Sequence, residues 1–245
     1  MMNNRNNIWS FVAICCLAIL TSCAHRPRNQ QYGNKVATAQ RESPRERRST
    51  VKIQTKKASG SVMEGPEIFQ KYNSAVFMIF TSNGYEGFQG SGFFIDDHGL
   101  AVSNYHVFQN TLQGQEQIKL VGSNNAYKVV EVLAKDADHD YIIFRVNSSQ
   151  NNYLDIADKQ PQVGERVFAI GSPRGLENTF SSGEVSQWRS EDVMQINVQI
   201  DHGSSGGPLI NQYGQVVGIT SGTFYEGSQA NLNYAWSIDV IKGSI

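Results

Sequence analysis

The stretch Asp201-His202-Gly203-Ser204-Ser205-Gly206-Gly207-Pro208-Leu209 decides how the rest of the chain is read. Three glycines around one serine permit a tight turn, because glycine accepts positive φ and close backbone approach. Such a turn exposes the Ser205 hydroxyl and aims the backbone N–H groups of Gly203 and Ser205 at one point. Donors placed beforehand are what the oxyanion of a tetrahedral acyl-transfer intermediate requires. A glycine-serine turn between two strands is the plain alternative, so a general base and a group to orient it have to be sought elsewhere.

Both are present upstream. Gly90-Ser91-Gly92-Phe93-Phe94-Ile95, a turn at Asp96-Asp97-His98-Gly99 and the run from Leu100 to Val107 read as a hairpin with His106 just past its second strand. Further on, Asp140 stands at the start of the apolar run Tyr141-Ile142-Ile143-Phe144-Arg145-Val146. The chain order is therefore His106, Asp140, Ser205, the order of chymotrypsin-type barrels and not of subtilisin or the α/β-hydrolases. In these roles Ser205 is the nucleophile, and His106 takes its proton and later returns it to the leaving amine. Asp140 holds the imidazole tautomer. Asp136 and Asp138 rival Asp140, which is preferred because it directly precedes the buried strand. Ser204 rivals Ser205, but only Ser205 is followed by Gly-Gly-Pro.

The strand pattern around these residues is dense. Residues 75–81, 92–95, 100–103, 117–121, 126–133 and 141–146 are short and strand-like, as are 166–170, 180–187, 193–200, 208–210, 215–221 and 233–238. Polar or glycine turns separate them, and almost no helical periodicity interrupts them, which predicts an all-β sandwich or barrel pair. One short helix is expected over 66–73, with Pro66 in its first turn and Ile68, Phe69 and Tyr72 on one side.

Several segments together resemble trypsin-like serine proteases of the Deg/HtrA type, over residues 75–240 or so. GSGFFIDDHGLAVSNYHV (90–107) is similar to that family's histidine segment and DADHDYIIFRV (136–146) to its aspartate segment. VGERVFAIGSPRGL (163–176) and SSGEVS (181–186) resemble the loop and strand before the nucleophile. QIDHGSSGGPLINQYGQVVGI (199–219) resembles the serine segment and NYAWSIDVIK (233–242) the closing strand. The resemblance implies two six-stranded Greek-key barrels with the active site between them, the first giving His106 and Asp140 and the second Ser205. It further implies that Gln199, Ile200, Ser221, Gly222, Thr223 and Phe224 wall the primary specificity pocket. Gln199 stands where an acid would select Lys or Arg, so cleavage after basic residues is not expected. Ile200 and Phe224 suit a small or medium apolar side chain, and Ser221 would pair with the substrate backbone by strand addition. Two features depart from the family pattern: Ser204 replaces the usual Asn, and the sequence ends at Ile245 directly after the last expected strand, so no PDZ domain is expected.

The net charge of −1 conceals a split. Residues 24–60 carry ten Lys or Arg against two acids, whereas residues 61–245 carry ten against twenty. Residues 1–22 read as a lipoprotein signal peptide. Arg5 precedes an apolar run from Ile8 to Leu20, about 13 residues and near 20 Å as a helix, too short to span a bilayer comfortably. The run closes on Leu20-Thr21-Ser22-Cys23, so Cys23 is the expected lipidated first residue of the mature chain. Ala24, not aspartate, follows it, which favours the outer membrane on its periplasmic side over inner-membrane retention. Cleavage there would leave Cys23 as the only mature cysteine and exclude an intramolecular disulfide. Residues 23–60 have the charge and low hydrophobicity of a disordered basic linker, with a span on the order of 35 Å, and residues 61–245 form the expected protease domain.

No cofactor and no metal are expected: His25, His98, His139 and His202 have no zinc-like spacing. The expected partners are protein or peptide substrates and the membrane. Nucleic acid is not expected, because the basic arm lacks interleaved aromatics and follows an export signal. The expected function is serine endopeptidase action on envelope or periplasmic proteins. The rival readings are a catalytically silent protease-fold binding protein, marked by a missing triad member, and a scaffold lipoprotein.

Overall fold

A computed structural model describes residues 51–223 and 232–245. The expected signal peptide, Cys23, most of the linker and Phe224 lie outside the described residues. The first described residues are already docked. β1 (Thr55–Lys56) pairs in parallel with β9 (Asp155–Ala157), Gln215 Nε2 donates to the Lys56 carbonyl at 2.6 Å, and Val51 and Ile53 pack on the core. The expectation of a linker running to residue 60 is therefore corrected over 51–57, where two apolar side chains and a parallel strand pairing anchor the backbone.

The helix forms as expected, as α1 (Gly65–Tyr72). Pro66 takes a first-turn position where its missing N–H is harmless, and the Glu67 carboxylate accepts the Glu64 N–H at 3.0 Å. Its apolar side, Ile68 and Tyr72, is buried. From there the chain is β. The first sheet contains β2 (Val76–Ser82), β3 (Gly87–Phe94), β4 (Leu100–Ser103), β5 (Gln117–Leu120), β6 (Ala126–Tyr127), β7 (Val129–Asp136) and β8 (Tyr141–Val146), in the order β6-β5-β2-β3-β4-β8-β7. The second contains β1, β9, β10 (Arg166–Gly171), β11 (Thr179–Trp188), β12 (Val193–Ile196), β13 (Pro208–Asn211), β14 (Gln215–Thr223) and β15 (Asn233–Ser237).

The second sheet closes. Six antiparallel strands run β14-β13-β10-β11-β12-β15, and β15 returns to pair with β14. β9 and β1 extend it in parallel at the β14 edge. The first sheet curls but, among the described residues, no pairing joins β6 to β7. β6 is two residues long, and β7 has register shifts between Val129 and Glu131 and between Val132 and Ala134, which bend it out of line. Three of the expected strands are also shortened, 117–121 only by its last residue. The run expected to Ile200 leaves the ladder after Ile196, where Asn197 Oδ1 accepts the Glu184 N–H and Asn233 Nδ2 takes the Val198 carbonyl. The last strand ends at Ser237, whose hydroxyl caps the following single turn at Asp239 N.

Alternation fills three apolar clusters. One lies within the first sheet, around Phe77, Phe94, Ile118 and Phe144, and one within the closed barrel, around Val167, Met194, Ile196 and Leu209. The third joins the two, with Phe93, Val102 and Ile143 from one sheet meeting Phe168, Ile170, Ile210 and Ile219 from the other. Each such side chain contributes roughly 1.5–3 kcal/mol on burial, so the two sheets share a core and hold their facing loops in register.

One polar contact also bridges the sheets. His139, in the turn between β7 and β8, places Nδ1 3.0 Å from Asp136 and Nε2 3.7 Å from Asp192, in the turn between β11 and β12. The Trp236 ring of β15 lies edge-on at 5.8 Å, and Asp138 adds a further nearby charge. The hydrogen bond to Asp136, helped by Asp192 and Asp138, holds the His139 pKa above its usual value, and the His139 contact holds Asp136 below the usual carboxylate range. A raised histidine contributes stability below its unfolded pKa of about 6.5 and loses it as pH rises through the folded value. The depressed carboxylate loses its share as pH falls through its own folded value. The stability lost in His139→Gln is thus expected to be greatest between about pH 4 and 6.5 and to fade above that window. Melting curves of both proteins across pH test this, and a gap independent of pH would refute it.

Candidate active site

Two neighbouring strands of the first sheet bring His106 and Asp140 together. β4 and β8 are antiparallel, with Ser103 opposite Ile142, so the residues just after β4 and just before β8 emerge at the same end. His106 sits in the single turn Tyr105–Val107. Asp140 adopts a left-handed φ of 48°, a conformation that short polar side chains such as Asp tolerate best among non-glycine residues. Asn104, fully buried, donates its Nδ2 to the Asp140 carbonyl at 2.8 Å and so secures that turn.

The Asp140 carboxylate receives three donors. The His106 backbone N–H lies 2.9 Å from Oδ1, His106 Nδ1 lies 2.8 Å from Oδ2, and Ser221 Oγ donates to Oδ2 at 2.9 Å. The Asp140 side chain is 16% exposed against 44% for His106, so the carboxylate is screened while the imidazole faces the cleft. Neither rival carboxylate reaches His106: Asp136 is bound to His139, and Asp138 is exposed.

Ser205 stands on the turn leading into β13. It lines a cleft of about 310 Å³ with His106, Ile200, Asp201, His202, Ser221, Gly222 and Tyr234. Its hydroxyl donates to the Ser221 carbonyl at 2.5 Å rather than to His106. The Ser205 hydroxyl and the His106 ring thus share one cleft with no hydrogen bond between them.

The amides of the turn are set by what holds its carbonyls. In a trans peptide the C=O and the following N–H point in opposite directions, and no cis bond occurs among the described residues. The His202 carbonyl accepts the Arg174 N–H at 2.8 Å, which turns the Gly203 N–H the other way. The Ser204 carbonyl accepts Thr220 Oγ1 at 2.9 Å and the Gly207 N–H at 3.1 Å, which does the same for the Ser205 N–H. Gly203 has φ +95°, and a Cβ there would lie 2.7 Å from the Ser172 carbonyl oxygen, so the turn requires glycine. Arg174 reinforces its hold through Nε, 2.9 Å from Asp201 Oδ2. The His202 N–H first, and then Arg174, keep the Asp201 carboxyl below its usual range.

The expected specificity residues separate. Ile200 and Ser221 line the cleft with Ser205, as does Gly222. Gln199 does not: it is exposed, its carbonyl accepts Ser181 Oγ at 2.9 Å, and it borders a second cavity of about 180 Å³ that shares Ile200 and Asp201 with the cleft. Because the chain leaves the ladder after Ile196, alternation no longer fixes which way Gln199 points. Phe224 lies outside the described residues. Tyr234, His202 and Asn104 were missed, although Asn104 sits two residues before His106 and Tyr234 starts the run NYAWS. Among the described residues no cluster of three or more His, Cys, Asp or Glu is placed to hold a metal ion.

Comparison with known proteins covers this same region. Residues 90–219 match the family profile described as a trypsin-like peptidase domain. A probable periplasmic serine endoprotease DegP-like of Halomonas elongata is 35% identical over 161 residues, covering 62% of this chain and 33% of that protein. The chloroplastic Protease Do-like 5 of Arabidopsis thaliana is 28% identical over 198 residues, 71% of this chain and 61% of that protein. The chain thus spans between about a third and three fifths of these relatives' length. The crystal structure of the serine endoprotease from Yersinia pestis superposes with a TM-score of 0.65 at 21% identity, covering 74% of this chain and 65% of that one. That likeness concerns the fold.

Proposed function

The chain belongs to the trypsin-like peptidase family, whose profile covers more than half of its 245 residues, and from that premise we propose that it is a serine endopeptidase working through His106, Asp140 and Ser205. The observation that carries this reading is the screened Asp140 carboxylate bound to His106 Nδ1, with the ring opening on the cleft that holds Ser205. His106 Nε2 is then the free nitrogen that takes the Ser205 proton and returns it to the leaving amine. The N–H groups of Gly203 and Ser205 receive the oxyanion. Apart from Asp140, which holds His106, the cleft's carboxylate is Asp201, and Arg174 already pairs with it. Among the described residues a basic substrate side chain therefore gains no free counter-ion, and Ile200 favours an apolar one.

The substrates proposed are proteins of a bacterial envelope, reached from a lipid anchor on Cys23 with residues 24 to about 50 as the tether. The leader pattern of residues 1–23 supports this, as does the word periplasmic in the name of the Halomonas relative. Treatment of the full chain with a fluorophosphonate, followed by peptide mass spectrometry, tests the reading. A single adduct on Ser205 is expected, on protein that sediments with membranes unless Cys23→Ala is introduced. An unlabelled chain favours the silent binding protein, and an adduct on another serine removes Ser205 from its role.

A further inference from the structure

Ser91 is a fully buried hydroxyl on β3, in the first sheet, and most of its bonds cross to the second. Its Oγ donates to the Gly203 carbonyl at 2.7 Å and accepts the Ser172 N–H at 3.0 Å. Its own N–H donates to the Ser205 carbonyl at 2.8 Å. One side chain thus uses its single proton and a lone pair on two loops that meet at the nucleophile turn. The neighbouring Gln89 strengthens the same junction, with Nε2 2.6 Å from the Ser172 carbonyl.

This hydroxyl holds the carbonyl end of the peptide plane between Gly203 and Ser204, whose N–H end is bonded to the Asp201 carbonyl at 2.9 Å. The plane before it, which carries the Gly203 N–H, is held by the Arg174 N–H on the His202 carbonyl. Gly203 joins the two planes at φ +95° and, lacking a Cβ, does little to fix the angle between them. External bonds therefore have to set both planes. With the Gly203 carbonyl released, only the Ser204 N–H bond to the Asp201 carbonyl restrains that plane, and the Gly203 N–H is expected to drift from the oxyanion position.

We propose that Ser91 is a positioning residue for acyl transfer: from the opposite sheet, its buried hydroxyl sets the Gly203 peptide and keeps the oxyanion-binding amides aligned. This rests on the serine endopeptidase reading above. It predicts a loss confined to the transition state, because Ser91 lies behind the turn and outside the residues lining the cleft.

Ser103 supplies a matched control. Its hydroxyl is equally buried and donates to the carbonyl of Ser91 itself at 2.7 Å, with no hydrogen bond to the nucleophile turn. Ser91→Ala is expected to lower kcat about 10- to 100-fold, less than direct loss of an oxyanion donor, with KM changed by less than about threefold. Ser103→Ala is expected to keep kcat within about threefold at a similar loss in melting temperature. A peptide boronate, which forms the tetrahedral adduct, should bind Ser91→Ala more weakly in step with kcat, while the same peptide as a carboxamide should bind unchanged. Equal kcat losses in the two variants, or equal losses of boronate and carboxamide affinity, overturn the proposal. Should Ser91→Ala not fold, Ser91→Cys, a weak donor of similar size, is compared with Ser103→Cys by the same criteria. If the wild type turns over through Ser205 and the Ser91 and Ser103 variants agree, only the positioning role fails. If the wild type gives no Ser205 adduct, the endopeptidase reading fails and takes this role with it.

Discussion

Ser205→Ala is expected to lower kcat/KM on a peptide substrate by about 10⁴- to 10⁶-fold, leaving the residual rate that substrate binding and the oxyanion amides supply. Ser204→Ala should cost far less, since the Ser204 side chain is buried beside Gly171, behind the turn, and only its backbone carbonyl takes part in setting the amides. The resting bond from Ser205 Oγ to the Ser221 carbonyl adds a second expectation. A peptide that adds as a strand along β14 needs main-chain acceptors, and the Ser221 carbonyl, at the cleft, is the acceptor that the hydroxyl occupies. A substrate N–H that takes it frees Ser205 to turn to His106. Longer peptides with a full strand should therefore raise kcat as well as lower KM. Steady-state kinetics on a length series, run with both serine variants, measures these effects. Activity retained by Ser205→Ala, or lost equally in Ser204→Ala, would put the nucleophile elsewhere.

What the sequence made legible was what short-range chemistry determines. The glycines of the nucleophile turn, the placement of His106 past one strand and Asp140 before another, and the proline at the start of α1 each act within a few residues. The described structure brings His106 and Asp140 into contact and Ser205 into the same cleft. What escaped depends on partners far away in the chain. β9 is three residues of Asp-Ile-Ala, and it is a strand only because β14 and β1 flank it. Residues 51–57 carry the composition of a solvated linker, yet Val51 and Ile53 find an apolar groove and the Lys56 carbonyl finds Gln215. Ser91 reads as one more small residue in a Gly-Ser-Gly run, and its bonds to Gly203 and Ser172 become visible only when the two sheets face each other. For Gln199, which the resemblance puts in the pocket wall, the ladder that would enforce alternation ends at Ile196, so its direction is not legible from the sequence.

Asp140→Asn is expected to cost about 10⁴-fold in kcat while the protein remains folded, and the hydrogen bonds around Asp140 show why. Every partner of the carboxylate is a donor. At Oδ1 the donor is the His106 backbone N–H, which cannot become an acceptor. An asparagine must therefore keep its oxygen there and present its NH₂ group at the Oδ2 position, facing His106 Nδ1 and Ser221 Oγ. The serine hydroxyl turns to accept. The imidazole can accept at Nδ1 only by carrying its proton on Nε2, and in that tautomer it has no lone pair for the Ser205 proton. The backbone gives no reason for unfolding, because asparagine tolerates the left-handed φ of 48° as well as aspartate does, and the Asn104 bond to the residue 140 carbonyl is untouched. A melting temperature near that of the wild type, with fluorophosphonate labelling of Ser205 slowed in parallel with kcat, is the expected pair of results. Asp136→Asn and Asp138→Asn, which alter carboxylates that do not reach His106, should leave kcat within about tenfold. If either matched Asp140→Asn in kcat, or if Asp140→Asn stayed within tenfold of the wild type, the carboxylate that orients His106 would have to be a different one.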